Sequence, residues 1–216
     1  SPLLACEIIG EKESFPELRP IEQALEALAQ KKIAEGKAAS ISVYLRTLNS
    51  GRWVSVDDEE RFSPASLMKV ATLIAYYRIA ETTPPILEKK LTYDGSFDLN
   101  AIAEVRSREP IAPGRAYPIE ELLRRMIVFS DNNAMQLATI HLLNFYPEEL
   151  SGVFADLNLN VPNEQAEDYM TAKEYASLFR VLYSATYLSR EKSEAALALL
   201  GLTDFRDGLV AGVPSD

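Results

Sequence analysis

The sequence predicts an α/β protein of the α+β kind: an antiparallel sheet flanked by helices, joined to a helical domain. Three observations carry this. Helical spacing holds over residues 20–35 and again over most of the chain after residue 63. Between them one stretch, SISVYLR, alternates apolar and polar residues. A turn signal, Asn49-Ser50-Gly51, then sends the chain back as RWVSV, which makes a hairpin.

The elements follow in order. Ile21, Leu25 and Leu28 share one helical face, with Pro20 at the start and Gly36 at the end. In the hairpin Ile41, Val43 and Leu45 lie on one side and Ser42, Tyr44 and Arg46 on the other. Ser63 reads as a helix cap with Pro64 at the first helical position, opening an apolar helix that reaches about Ala80. Thr82 to Pro85 is a break, and residues 86–117 read as an irregular connection. Pro118 opens the helix IEELLRRMIVF, which stops at Ser130-Asp131-Asn132, and the helix NAMQLATIHLL begins there. Thr171 with Glu174 forms a capping box before AKEYASLFRVLY, and Ser189 caps a last helix ending near Gly201. The expected division is a helix and hairpin over 1–60, a helical domain over 61–200, and a return toward further strands over 201–216. A lone two-stranded hairpin is marginal in water, and no strand pattern follows Phe205. The expectation is therefore that the natural protein continues past Asp216, its C-terminal strands missing from this chain.

Composition narrows the function classes. With 216 residues, 47% hydrophobic and 25% charged, the chain can bury a real core. A net charge of −10 without a long run of one sign argues against nucleic acid and against a basic membrane-surface helix. No run approaches the roughly 20 apolar residues a membrane span needs. The single Cys6 excludes an internal disulfide, and the single His141 leaves little room for a zinc site. His141 follows an apolar helix and reads as a surface or hydrogen-bonded histidine. The start, SPLLACEIIG, lacks the pattern of a signal peptide; its abrupt apolar beginning fits a cut just after an anchor or signal.

Chemistry is suggested first by FSPASLMKVATLIAYY, residues 62–77. Ser66 and Lys69, three apart, share a helix face. Near a helix start, free N–H groups and the dipole stabilise negative charge. A serine is a weak nucleophile until a neighbour takes its proton, and a lysine held among apolar groups such as Met68 and Val70 can lose enough basicity to do so. The same residues also read as a second capping serine with a snorkelling lysine, and Ser189-Arg-Glu-Lys192 has the same spacing without any such implication. The second element is Ser130-Asp131-Asn132, on a turn between two helices. All three residue types cap helices; Asp131 is the one assigned that structural role here, leaving Ser130 and Asn132 for chemistry.

S-x-x-K followed by S-D-N resembles the serine β-lactamase and penicillin-binding-protein superfamily, and class A β-lactamases in particular. The resemblance extends to the opening helix and hairpin, the SPAS approach to the nucleophile helix, and RDGLVAGVPSD, similar to the segment before that family's last active-site strand. It implies a β-lactamase/D,D-peptidase-like fold, with Ser66 and Ser130 facing one cleft. Ser66 would be acylated, Lys69 would act as base, Ser130 would pass a proton to the leaving nitrogen, and Asn132 would bond the substrate's amide side chain. The amide N–H of Ser66 would form half of an oxyanion hole. The implied substrates are small-molecule β-lactams or peptidoglycan peptides, with no metal or cofactor and an extracytoplasmic location. Two departures stand out. The K-[TS]-G motif is absent, as expected if strands are missing. The loop DLNLNVPNEQAEDYMTAKE contains no Glu followed four residues later by Asn, the pair that activates the deacylating water; Glu164 and Glu167 are the possible substitutes, and Asp168 resembles the acid that closes that loop. The expectation is a serine-acylating hydrolase with slow deacylation. The alternatives are a penicillin-binding protein (a D,D-peptidase) and a non-catalytic covalent sensor or binding module. No tyrosine is followed two residues on by Asn, which disfavours the class C and esterase branch.

Overall fold

The structure, a computed structural model, describes residues 15–103, 106–160, 169–206 and 208–213. These fall into two compact units, one reaching Glu60 and including Thr171–Lys173, the other comprising Arg61–Met170 and the chain from Glu174 onward.

In the first unit α1 (Arg19–Ala34) has Pro20 in its first turn and is followed by Gly36 at φ +67°. Strands β1 (Val43–Arg46) and β2 (Trp53–Val56) pair antiparallel, with Val43 opposite Val56 and Leu45 opposite Val54. The Thr47 N–H donates to the Arg52 carbonyl at 2.8 Å across the turn, where Gly51 sits at φ +72°, a conformation that costs glycine little. Helix α1 packs on β2. Val54 and Val56 are buried, yet Leu45 on the same face stays 44% exposed, so among the described residues that face is only partly covered.

The second unit is built round one helix. A short 3-10 turn, Ala65–Met68, runs directly into α2 (Lys69–Thr82), and every residue from Lys69 to Ala80 except Arg78 is buried. A helix apolar on all sides belongs at the centre of a domain. The same unit holds β3 (Arg61–Phe62), β4 (Lys90–Tyr93), β5 (Arg115–Pro118), α3 (Ile119–Val128), α4 (Asn132–Phe145), α5 (Pro147–Asp156) and α7 (Arg190–Gly201), while β6 (Met170–Thr171) and α6 (Ala172–Ser184) are divided between the units, Thr171–Lys173 belonging to the first. The side chain of Ser189 caps α7, accepting from the Lys192 N–H at 3.3 Å. Among the described residues no helix is long and apolar enough to cross a membrane.

Four local readings are corrected. No side-chain cap from Ser63 forms: the helix starts at Lys69, after a turn in which Ala65 adopts a left-handed φ of +44°. Residues 86–117 are not simply irregular, because β4 and β5 pair antiparallel with Lys90 opposite Pro118 and Tyr93 opposite Arg115. Each strand is short, exposed in part and carries a cation or proline, which hides the alternation. Helix α5, interrupted in sequence by Ser151 and Gly152, carries little helical signal and packs on α2 through buried Val153 and Phe154. Finally, His141 lies inside α4 and is 4% exposed, so of its two readings the surface one fails and the hydrogen-bonded one holds, its Nδ1 lying 3.0 Å from the Tyr76 hydroxyl; the helix runs on to Phe145, and a cage of Tyr76, Phe145 and Tyr146 closes round the ring.

Candidate active site

The 3-10 turn matters for chemistry because residues three apart eclipse in that winding. It stacks Ser66 over Lys69 more closely than an α-turn does, and the Lys69 Nζ donates to Ser66 Oγ at 3.2 Å. Ser66 is exposed whereas Lys69 is 3% exposed, so the hydroxyl faces solvent and the amine is enclosed.

The enclosure comes from the turn between α3 and α4. Ser130, at a left-handed φ of +53°, aims both its hydroxyl and its carbonyl at the amine: Nζ lies 2.8 Å from Ser130 Oγ and 2.9 Å from Ser130 O. Asn132, the first residue of α4, places its Oδ1 2.7 Å from the same nitrogen. Ser130 Oγ is 3.4 Å from Ser66 Oγ. Non-glycine residues at positive φ are strained; of the five among the described residues, Ala65 precedes Ser66 and Ser130 is itself the second hydroxyl of the cluster.

Four acceptors surround Lys69, while an ammonium has three hydrogens. The ammonium can donate to three of them at a time, and the neutral amine, with two hydrogens and one lone pair, also meets three. In the neutral form the two hydrogens can go to the two oxygens that only accept, Ser130 O and Asn132 Oδ1, which leaves the lone pair free to accept from one of the two hydroxyls in place of the donation seen from the charged amine. Burial lowers the Lys69 pKa from 10.5 to about 8, against the Asp131 carboxylate, which pulls it up. At pH 7 roughly a tenth of the molecules then hold the neutral form. The cluster can therefore take a proton from one hydroxyl and return it through the other.

Asp131 is fully buried and structural. Its carboxylate caps α4 through the N–H groups of Asn133 (3.0 Å) and Ala134 (3.2 Å), and also accepts from Asn100 Nδ2 (2.7 Å) and the Ile111 N–H (2.8 Å). Asn133, also buried, accepts from the Leu99 N–H at 2.7 Å and donates to Asp98 at 3.1 Å. The loop after β4 is thus fastened to the turn that carries Ser130 and Asn132. Sequence reasoning missed Asn100 and Asn133; the one signal available was a loop rich in Asx residues, which reads as turn formers.

The structure brings Ser66, Lys69, Ser130 and Asn132 together. Glu164, Glu167 and Asp168 lie outside the described residues, as does Cys6. On the described flanks of that loop, Asn160 Nδ2 donates to the Tyr169 carbonyl and to Glu174, and Arg61 bonds the same carbonyl at 2.6 Å and pairs with Glu174 at 3.2 Å. Among the described residues no group of three or more His, Cys, Asp or Glu is arranged to hold a metal.

A family model described as the beta-lactamase enzyme family matches residues 20–216. No curated protein matches the chain in sequence. Among solved structures, PBP-A is similar with a TM-score of 0.74 and 21% identity, over 92% of this chain and 74% of that one. A mutant of PBP-A in an acyl-enzyme complex with penicillin G gives the same figures. The class A β-lactamase from Mycobacterium abscessus aligns at 0.72 and 19% identity, over 90% of this chain and 75% of that one. The β-lactamase from Sphaerobacter thermophilus aligns at 0.71 and 20%, over 89% and 74%. At such identities these likenesses establish the fold, that of β-lactamases and PBP-A.

Proposed function

This chain belongs to the β-lactamase enzyme family, and from that premise we propose that it is a serine hydrolase acylated by β-lactams at Ser66, which it releases slowly. The observation that carries the reading is the Lys69 amine held within hydrogen-bond reach of both hydroxyls and of Asn132.

In the proposed mechanism neutral Lys69 removes the Ser66 proton as Oγ attacks the β-lactam carbonyl carbon. The tetrahedral intermediate collapses by breaking the ring C–N bond. Ser130 gives its proton to the departing nitrogen and is reprotonated from Lys69, so the amine ends neutral and the product is an ester on Ser66 with no atoms lost. Asn132 has a second role available, since its amide Nδ2 can donate to the substrate while Oδ1 holds Lys69.

Slow release follows from the loop between α5 and Tyr169. Its sequence has no Glu followed four residues later by Asn, and Asn160 and Glu174 are already engaged in fastening the loop's two ends. Where neither Glu164 nor Glu167 serves as base, water attack on the ester forfeits a factor of roughly 10² to 10⁴. Acylation without efficient release also suits a penicillin-binding protein acting on peptidoglycan peptides, and the PBP-A acyl-enzyme with penicillin G is a precedent for the first half of that behaviour. Either substrate class implies work outside the cytoplasm.

Labelling with a fluorescent penicillin, resolved on a denaturing gel, tests the reading. The protein should take up label, Ser66→Ala should not, and a peptide ending in D-Ala-D-Ala should compete if the peptidase reading holds. Label on Ser66→Ala, or none on the parent protein, would defeat the proposal.

A further inference from the structure

The first three residues of α4 expose N–H groups that the helix itself cannot satisfy. Asp131 serves the second and third, Asn133 and Ala134. The first, Asn132, is served from outside: its N–H donates to Asn100 Oδ1 at 2.9 Å, across 32 residues of sequence. The other end of the same amide donates from Nδ2 to Asp131 Oδ1 at 2.7 Å. Asn100 therefore grips both residues that follow Ser130. The demand is specific in chemistry. One end must accept from an N–H and the other must donate to a carboxylate, which a primary amide does and an ionised aspartate or an alanine cannot. Its own backbone is held in turn, since the N–H groups of Asn100 and Ala101 donate to Asp98 at 3.2 and 3.3 Å.

We propose that Asn100 is a positioning residue for reaction at Ser66: through Asn132 and Asp131 it holds the turn whose oxygens orient the Lys69 amine. This rests on the acylation mechanism above, and it assigns to a loop amide, not in contact with Lys69, control over when that lysine can act as base. The mechanical path is short. Asn132 Oδ1 and Ser130 O are the acceptors that direct the two amine hydrogens. Both belong to the three-residue turn that Asn100 grips. Among the described residues the charge acting on Lys69 is Asp131, with Asp98 beyond Asn133. Releasing the turn lets water reach the amine and lets the Asp131 carboxylate lose a donor. Both effects favour the ammonium.

The test is an NMR titration of Lys69 with 13C-labelled lysine, read beside the pH dependence of acylation by a reactive penicillin. In Asn100→Ala the Lys69 midpoint should move up by about one pH unit, and acylation at pH 7 should fall about tenfold but recover toward the parent rate above the new midpoint. Asn100→Asp keeps the acceptor for Asn132 and sets a second carboxylate against Asp131, so its midpoint should move at least as far. It serves as the second variant if the alanine protein melts early. Glu109→Gln loosens the other end of the same loop, where Arg124 and Arg125 hold Glu109, and should leave the midpoint in place. An unmoved midpoint in both Asn100 variants, an equal rate loss at every pH, or an equal shift in Glu109→Gln would overturn the proposal. If the parent protein is not acylated at all, the functional reading fails, while the Lys69 midpoint still decides whether Asn100 positions it.

Discussion

Helices α2 and α4 make two polar contacts, and the two differ in every respect that bears on chemistry. At one, Lys69 meets Ser130 and Asn132. At the other, two turns further along α2, the Tyr76 hydroxyl donates to the Ala138 carbonyl at 2.9 Å and lies 3.0 Å from His141 Nδ1. Each site buries a titratable group and in each burial disfavours the charged form. At the Tyr76 end the backbone is ordinary helix, no nucleophile reaches solvent, and His141 Nε2 has no partner. At the Lys69 end two residues sit at strained positive φ, an exposed serine abuts the amine, and acceptors exceed the hydrogens of the ammonium. A buried ionisable side chain alone marks packing. One that is over-supplied with partners beside an exposed hydroxyl marks chemistry.

Substitutions can break that contrast. The largest effect belongs to Lys69→Met, which should reduce the rate of penicillin adduct formation by about 10³ or more at pH 7. Tyr76→Phe, at the other contact, should leave the rate within about twofold. If both variants acylate alike, the contrast has no functional content. Ser130→Ala should come next, slowing adduct formation by about 10² because the leaving nitrogen loses its proton donor; an unchanged rate would place the proton path elsewhere.

The order reverses when stability is measured. Tyr76→Phe strips a partner from both Ala138 O and His141 Nδ1, and urea unfolding should register a loss of about 1–2 kcal/mol. The smallest effects are in the pH dependence of that stability. Lys69 is lowered from 10.5 to about 8 in the fold, so between these values the unfolded chain holds a proton that the folded one has released. Stability should rise with pH across that window, and Lys69→Met should flatten the rise. His141 is lowered from 6.5 by burial and by the charge of Lys89, so its contribution should be lost as pH falls below 6.5. His141→Leu should remove that acid-side loss without touching the alkaline rise. A single variant that abolished both slopes would mean the two contacts are one network.

The parts of this contrast differ in how they could be read from sequence. Ser66 and Lys69 are three residues apart and Ser130, Asp131 and Asn132 are contiguous, so local spacing exposes them. The hairpin is visible because its alternation and its turn are also local. The burial of His141 is not, since its cage draws Tyr76 from another helix. Strands β4 and β5 pair across more than twenty residues with a proline in the register. The grip of Asn100 on Asn132 spans 32 residues and leaves no periodic trace. The left-handed φ of Ala65 is likewise silent, because alanine carries no mark of such a conformation.

An intact-mass time course after mixing the protein with penicillin G tests acylation at Ser66 with slow release most directly. Within the acylation phase the protein should gain the mass of one whole penicillin, as ring opening loses no atoms. That species should then persist for minutes or longer, localise to the peptide bearing Ser66, and fail to form in Ser66→Ala. Penicillin turned over rapidly with no adduct accumulating would contradict slow release, and neither adduct nor hydrolysis would contradict acylation at Ser66 itself.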